Sequence, residues 1–74
     1  MTLAEVPVGR KARVQEIQGV DSISIRVLEM GITPGVEILA VGSALLGDPL
    51  EFEVRGYRLS VRKAEAARVG VELI

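Results

Sequence analysis

The side chains that could do chemistry in this chain are few and scattered. The sequence contains no cysteine and no histidine, so it lacks disulfides, thiolate ligands and the usual general base near neutral pH. A serine, threonine or lysine nucleophile would have no histidine to activate it. Glu51 and Glu53 share a strand face, but their spacing is typical of an exposed hairpin face. The sequence therefore predicts a protein that is not an enzyme and has no catalytic residues.

Carboxylates are the only strong metal ligands that remain. Ferrous iron favours imidazole, thiolate or several converging carboxylates. The acidic candidates are spread along different predicted elements: Glu29, Glu37, Asp48, Glu51 and Glu53. Gly42 and Gly47 have part of the spacing of a phosphate-binding loop, but the Lys-Ser or Lys-Thr pair that would contact phosphate and magnesium is missing. We therefore predict no dedicated metal site and no cofactor.

The charge balance argues against nucleic acid as a partner. Nine Lys and Arg residues stand against ten Asp and Glu residues, which gives a formal net charge of −1, whereas a small nucleic-acid-binding domain normally has a basic excess. Two local basic clusters are interpreted as solvated strand faces: Arg10, Lys11 and Arg13, and Arg62, Lys63 and Arg68. No apolar run approaches the ~20 residues of a membrane-spanning helix, and Met1 to Gly9 does not resemble a signal peptide. A cytoplasmic protein without direct membrane insertion is predicted.

Two adjacent leucines stand out as candidate binding residues. Leu45 and Leu46 lie in a predicted loop, Gly42 to Pro49, where solvation alone does not require leucine. Two interpretations remain open: the loop folds back onto one mouth of the domain, or the leucines form an apolar contact patch for a partner or a second copy of the chain. Tyr57 is the only residue that could serve as an aromatic wall of a peptide-binding groove. These three residues are the predicted partner-binding positions.

The clearest structural element is a β-hairpin. Leu50 to Val54 and Tyr57 to Val61 alternate with period two and are separated by Arg55 and Gly56. A two-residue turn pairs Val54 with Tyr57 and places three apolar pairs on one face. Glu53 then lies opposite Arg58 on the other face, which predicts a cross-strand ion pair.

A short helix and a tight corner are predicted before this hairpin. Asp21 or Ser22 can cap the helix, and its apolar stripe is expected to contain Ile25, Val27 and Leu28. Gly31 should end the helix in the left-handed conformation, with Ile32 folding back onto Val27 or Leu28. Pro34 and Gly35 then turn the chain. Gly47, Asp48 and Pro49 form a second turn, and Gly56 a third.

The remaining patterns complete a small β domain. Arg10 to Ile17 and Val36 to Val41 are predicted strands, and the second is expected to be central and covered on both faces. Lys63 to Arg68 should form a helical turn before a last strand with Val69, Val71 and Leu73. Leu3, Val6 and Val8 are available for an aliphatic core. One domain, residues 1–74, is expected: mainly β, a small five-stranded closed SH3-like barrel with a short helix after the first strand and a helical turn before the last.

An ordered set of residues resembles the FeoA family over most of the chain, from about Leu3 to Val71. The set consists of Gly9, Leu28-x-x-Gly31-Ile32-x-Pro34-Gly35, Gly47-Asp48-Pro49-Leu50, Gly56 and Leu59-x-x-Arg62-Lys63-x-Glu65-Ala66. The resemblance implies an SH3-like barrel and a non-catalytic, cytosolic accessory role beside the ferrous-iron transporter FeoB. It implies a location in the cytoplasm or at the inner face of the cell membrane through that partner. The resemblance also implies transition metal binding, but only as a general property of the family that is assigned to no residue of this chain.

Other functions remain open at this point. The same barrel resembles the C-terminal domain of DtxR-type iron-dependent repressors, which is an intramolecular interaction and regulatory module. This chain lacks the helix-turn-helix that would bind DNA, and its start at Met1 leads us to expect a complete small protein. A standalone RNA-binding barrel is disfavoured because stacking aromatics are scarce. Self-association is a further option for the partner surface.

Overall fold

Five antiparallel strands and two short helices make up the computed structural model, which describes residues 1–74. The strands are β1 (Lys11–Ile17), β2 (Glu37–Ser43), β3 (Leu50–Val54), β4 (Tyr57–Val61) and β5 (Val69–Leu73). The helices are α1 (Ser22–Glu29) and α2 (Lys63–Ala66), and two short 3-10 turns cover Leu3–Glu5 and Leu45–Gly47. The predicted order of elements is confirmed.

The sheet has the strand order β4-β3-β2-β1-β5, so β2 lies at its centre as predicted. Ile38 and Ala40 are buried on one face of β2, whereas Leu39 and Val41 are only partly buried on the other. The expectation that both faces are covered is therefore wrong. Irregular pairing between Ala40 and Gly42, and between Val14 and Glu16, interrupts the ladders. Such bulges increase the local bend and twist of a sheet.

The hairpin register is confirmed residue by residue. Val54 pairs with Tyr57, Phe52 with Leu59 and Leu50 with Val61. Arg55 and Gly56 both have positive φ, 51° and 85°, as in the type I′ turn that matches the twist of the strands. Glu53 lies opposite Arg58, but no ion pair joins their side chains.

The core is aliphatic apart from Phe52, as the composition predicted. Fourteen buried apolar residues form one cluster, in which Leu3, Ile32 and Ile38 are among the largest side chains. Val6 packs partly against this cluster, but Val8 is exposed, so its predicted core position is wrong. Val8 and Gly9, which has a φ of 91°, are the central residues of a turn closed by the Arg10 N–H, which donates to the Pro7 carbonyl oxygen at 3.1 Å.

Helix α1 faces the core differently from the prediction. Val27 is buried, but Ile25 and Leu28 are 54% and 43% exposed. The inward face is formed by Ser24 and Val27, which are three residues apart and therefore lie on one side of the helix. Ser24 can be buried because its hydroxyl donates to the carbonyl oxygen of Asp21 at 2.8 Å.

The predicted closure of the barrel is not completed by strand pairing, since β4 and β5 are the two ends of the order. The N-terminal residues occupy the edge of β5: Val71 N–H donates to the carbonyl oxygen of Met1 at 2.9 Å, and Thr2 forms a bridge with Gly70. The edge of β5 is therefore covered by the start of the chain, and β4 does not pair with it.

Candidate functional site

The loop between β2 and β3, residues 44–49, presents the two candidate leucines and is called the leucine loop below. Its ends are joined where Ser43 pairs with Leu50, and the Ala44 N–H donates to the Pro49 carbonyl oxygen at 2.9 Å. A further hydrogen bond, from Gly47 N–H to the Ala44 carbonyl oxygen at 2.9 Å, forms the turn that contains Leu45 and Leu46. The loop therefore has a defined backbone that holds both leucines in place.

Leu45 and Leu46 are 91% and 97% exposed, so the interpretation in which they fold back onto the domain is wrong. Leu46 also has a φ of 73°. This left-handed conformation costs a residue with a β-carbon roughly 1–2 kcal/mol relative to the ordinary regions. A leucine here gains nothing from burial and carries backbone strain, so neither solvation nor packing explains it.

One polar contact anchors this loop to the neighbouring helix. The Lys63 N–H, at the first position of α2, donates to Asp48 Oδ1 at 3.0 Å. Such a contact satisfies an amide that has no partner within the helix. Gly47 has a φ of 84°, and a Cβ added there would meet Lys63 Nζ at 3.5 Å, an ordinary contact. Asp48 thus fixes the leucine loop to α2, and Pro49 leads into β3.

Tyr57 lies at the other end of the β3–β4 hairpin from the leucines. It pairs with Val54 beside the Arg55–Gly56 turn, whereas the leucine loop enters β3 at Leu50, opposite Val61. The Tyr57 hydroxyl donates to the Met30 carbonyl oxygen at 3.3 Å. The structure does not bring Tyr57 together with Leu45 and Leu46, and it uses the tyrosine to join the hairpin to the end of α1.

The corner after α1 is held by glycines and by this tyrosine. Gly31 has a φ of 91°, and a Cβ added there would lie 2.8 Å from the Tyr57 hydroxyl. Ile32, the next residue, is fully buried. Pro34 is exposed, and Gly35, with a φ of 93°, donates its N–H to the Val14 carbonyl oxygen at 2.8 Å. The corner therefore ties α1 to the central strands.

The two basic clusters are partly neutralised by carboxylates. Lys11 and Arg13 both contact Glu37, at 3.9 and 3.5 Å, and Arg13 also contacts Glu72 at 3.8 Å. Arg68 is engaged by Asp21. These contacts leave Arg10, Arg62 and Lys63 as the cluster members without an ion pair. The interpretation as solvated faces fits this arrangement better than a phosphate-binding patch.

Asp21 and Arg68 form a contact that the sequence analysis missed. Arg68 Nη1 and Nη2 donate to the two Asp21 carboxylate oxygens, each at 2.9 Å, while Asp21 Oδ1 accepts the Ser24 N–H at 3.2 Å. The hydrogen bonds from Arg68, then the one from Ser24, lower the pKa of Asp21 from 3.8 to about 2. Asp21 likewise raises the pKa of Arg68. This pair joins the start of α1 to the segment before β5.

A groove of about 640 Å³ lies between the corner and the hairpin turn. Its charged lining residues are two of each sign: Lys11, Arg55, Glu37 and Glu53. No group of three or more acidic side chains converges anywhere in the structure to hold a metal ion. No helix is long and apolar enough to cross a bilayer. The groove thus combines two carboxylates with two basic side chains and contains no cluster of metal ligands.

The family can be decided by comparison with known proteins. A model of the FeoA domain matches residues 1–73. This chain belongs to the FeoA domain family. A Porphyromonas gingivalis protein described as an Fe(2+) transport protein A/Fe(2+) transporter FeoB fusion protein is 36% identical over 74 residues, which are all of this chain and 9% of the relative. The chain thus spans about a tenth of the length of that relative.

Solved structures of FeoA proteins share the fold. The FeoA-like protein of Clostridium acetobutylicum is 38% identical, with a TM-score of 0.93, and the alignment covers 100% of this chain and 86% of that one. FeoA of Stenotrophomonas maltophilia, solved with zinc and described as a procaryotic SH3 domain protein, is 36% identical, with a TM-score of 0.85 and coverage of 97% and 89%. The predicted SH3-like fold and the resemblance to FeoA are confirmed.

The predicted likeness to iron-dependent repressors is a likeness of fold. IdeR of T. acidophilum aligns with a TM-score of 0.86 at 19% identity, over 100% of this chain and 34% of that one. The same fold therefore also occurs as one part of a longer protein, and the similarity extends no further.

Proposed function

We propose that this FeoA protein is a non-catalytic accessory protein of ferrous-iron transport that binds a FeoB-type membrane transporter. The observation that carries the proposal is the Porphyromonas gingivalis relative, in which a FeoA sequence and a FeoB sequence belong to one polypeptide. Covalent linkage keeps the two parts at a high effective concentration, which favours contact between them. On this proposal residues 1–74 act as one domain at the cytoplasmic face of the membrane.

Leu45 and Leu46 of the leucine loop form the contact surface in this proposal. Burying two leucines that are almost fully exposed would contribute about 1.5–3 kcal/mol each, and the loop backbone is already ordered, so little ordering cost opposes binding. The strain at Leu46 supports this role, because glycine would fit the same backbone without cost. Tyr57 belongs to a separate part of the surface, near the end of α1, and is proposed as a second contact.

Co-purification from membranes tests the proposal. The chain is expressed together with a FeoB-type transporter, and complexes are recovered in detergent at low salt. We expect Leu45→Asp or Leu46→Asp to abolish recovery of the transporter while circular dichroism and thermal unfolding stay unchanged. A charge on an exposed side chain leaves the fold intact, but it cannot be buried unpaired in an apolar interface.

Val20→Asp is the matched control. Val20 is 99% exposed and apolar, so the substitution adds the same charge at an equally exposed site. Recovery of the transporter with Val20→Asp and its loss with Leu46→Asp supports the loop as the contact. Equal loss in both variants would assign the effect to charge in general. Failure to recover the transporter with the unsubstituted chain would reject the proposed partner.

The alternative is a regulatory module of the kind found in iron-dependent repressors, and the likeness of fold to IdeR is its only support. The same experiment with a helix-turn-helix repressor in place of the transporter separates the two functions. Binding of the repressor alone would favour the alternative. Steeply salt-dependent binding to RNA or DNA would instead indicate a nucleic-acid partner.

A further inference from the structure

The free edge of β4 is the one long edge of the sheet that no other part of the chain covers. β4 pairs with β3 on one side only, whereas the β5 edge receives Met1 and Thr2. The Val54–Tyr57 pair closes a two-residue turn, so it is a hydrogen-bonded pair, and such pairs recur at every second position. The backbone groups of Arg58 and Ser60 therefore point away from β3, and neither N–H donates elsewhere in the chain.

We propose that β4 pairs antiparallel with β4 of a second copy of this chain, about a two-fold axis through Leu59. An edge with unpaired N–H and C=O groups is a template for another strand. Within β4, only Arg58 and Ser60 have backbone groups that point outward. The two-fold axis can therefore pass through Arg58, Leu59 or Ser60, which gives three possible registers. This inference does not rest on the proposed transporter contact at Leu45 and Leu46, although the β4 edge includes Tyr57, the second contact proposed above.

Charge selects among the three registers. An axis through Arg58 would place two Arg58 side chains opposite each other, and an axis through Ser60 would place Arg58 opposite Arg62 of the second copy. Like charges directly opposite destabilise a strand pair. With the axis through Leu59, Arg58 lies opposite Ser60 of the second copy, and both outward residues exchange backbone hydrogen bonds. This register alone pairs both outward residues without placing like charges opposite each other.

The side chains on the other face of β4 agree with this pairing. Leu59 lies opposite its own copy, and Tyr57 lies opposite Val61. Tyr57 is partly exposed and Leu59 only partly buried, so pairing covers apolar surface that the single chain leaves at the edge. The formal net charge of −1 gives little repulsion between two copies.

Opposite charges introduced at Ser60 give the sharpest test. Ser60→Glu places a carboxylate opposite Arg58 of the second copy, and Ser60→Arg places a like charge there. Sedimentation equilibrium over a range of protein concentrations should show a monomer–dimer equilibrium. We expect about tenfold tighter association for Ser60→Glu and about tenfold weaker association for Ser60→Arg, since two symmetric pairs change in each dimer.

The stability of the single chain should move in the opposite direction, which separates dimerisation from folding. Ser60 lies opposite Glu51 within the hairpin. Ser60→Glu therefore adds repulsion inside the chain and should lower the midpoint of unfolding in dilute solution, while Ser60→Arg should raise it. Association and stability that move together in the two variants would overturn the proposal.

Cysteine cross-linking checks the register, because the chain has no cysteine of its own. Leu59→Cys should form a disulfide-linked dimer on oxidation, since directly opposite Cβ atoms lie about 4.5–5.5 Å apart. Tyr57→Cys is the control: the two substituted positions would lie roughly 14 Å apart at about 3.4 Å per residue. Equal cross-linking of both variants, or a chain that stays monomeric at every concentration, would contradict the pairing.

Discussion

Two exposed turns of this protein contain the same kinds of residue but differ in the contacts that their aspartates make. Gly19-Val20-Asp21 precedes α1, and Leu46-Gly47-Asp48 lies in the leucine loop. Each turn contains a glycine with positive φ, an apolar residue at least 97% exposed, and an aspartate that accepts an N–H at the start of a helix. In the first turn the aspartate also binds the guanidinium of Arg68; in the second it accepts a backbone N–H alone.

The difference lies in which residue takes the strained conformation. In the first turn only Gly19 has a positive φ, so Val20 is free of strain, whereas in the second Leu46 shares the left-handed conformation with Gly47. The first turn is consistent with a purely structural role, since its polar groups fasten α1 to the segment before β5. In the second turn an unfavourable residue, Leu46, occupies a position that glycine would fill without steric strain. Exposure alone would not have separated the two turns.

Replacing the two glycines should give the largest effect on stability. Gly19→Ala and Gly47→Ala each place a Cβ in the left-handed region, at a cost of about 1–2 kcal/mol. A Cβ at Gly19 would also lie 2.6 Å from Arg68 Nη1, whereas at Gly47 the nearest atom is 3.5 Å away. We expect Gly19→Ala to be the more destabilising of the two by chemical denaturation. Equal losses would show that Arg68 moves aside freely and that the two turns are equivalent.

Acid titration should separate the two aspartates. The pKa of Asp21 falls from 3.8 in the unfolded chain to about 2 in the folded protein. The stabilisation from Asp21 should therefore be complete above about pH 4 and be lost as the pH falls towards 2. Asp21→Asn keeps an acceptor for the Ser24 N–H but loses the charge, so we expect a lower melting temperature at neutral pH and a smaller loss between pH 4 and 2.

Asp48→Asn is the control for this titration. Its partner is a backbone N–H, which an amide oxygen accepts as well, so the melting temperature should change little. The measurement is thermal unfolding by circular dichroism from pH 2 to pH 6 at low and high salt. An acid dependence of Asp21→Asn identical to that of the unsubstituted chain would mean that Arg68 contributes nothing to stability.

Leu46→Gly should have the smallest effect on stability, with a sign opposite to that of the glycine replacements. Glycine removes the left-handed strain but adds freedom to the unfolded chain, so the gain should be at most about 1 kcal/mol. Association with the transporter should be lost in the same variant. Denaturant midpoints together with the co-purification assay would check both parts. A less stable variant would show that the exposed leucine supports the fold after all.

The hairpin shows how far sequence reasoning reaches. Only one register keeps Phe52 opposite Leu59 and all charged residues on the other face, so the alternation by itself predicts the pairing. Gly31, at the corner after α1, can also be predicted from the sequence, but for a different reason: the left-handed backbone conformation at this position excludes most other residues. Both features depend on local chemistry.

Features that depend on distant parts of the chain could not be predicted. Asp21 and Arg68 are 47 residues apart, and nothing in their local sequence pairs them. The inward face of α1 differs from the predicted apolar stripe because Ser24 is buried, with its hydroxyl hydrogen-bonded to the backbone. The exposure of Leu45 and Leu46 depends on hydrogen bonds that hold the loop away from the core, and composition does not specify these.

The ends of the chain lie close together along β5. Met1 accepts the Val71 N–H, and the Ile74 N–H donates to the Lys11 carbonyl oxygen, so the two ends are about three residues, or roughly 10 Å, apart on this strand. A tag, a surface linker or a fused polypeptide attached at either terminus would therefore leave from the β5 edge. Immobilising the protein through a terminus would attach it at the β5 edge, which takes part in neither the proposed β4 pairing nor the proposed contact of Leu45 and Leu46.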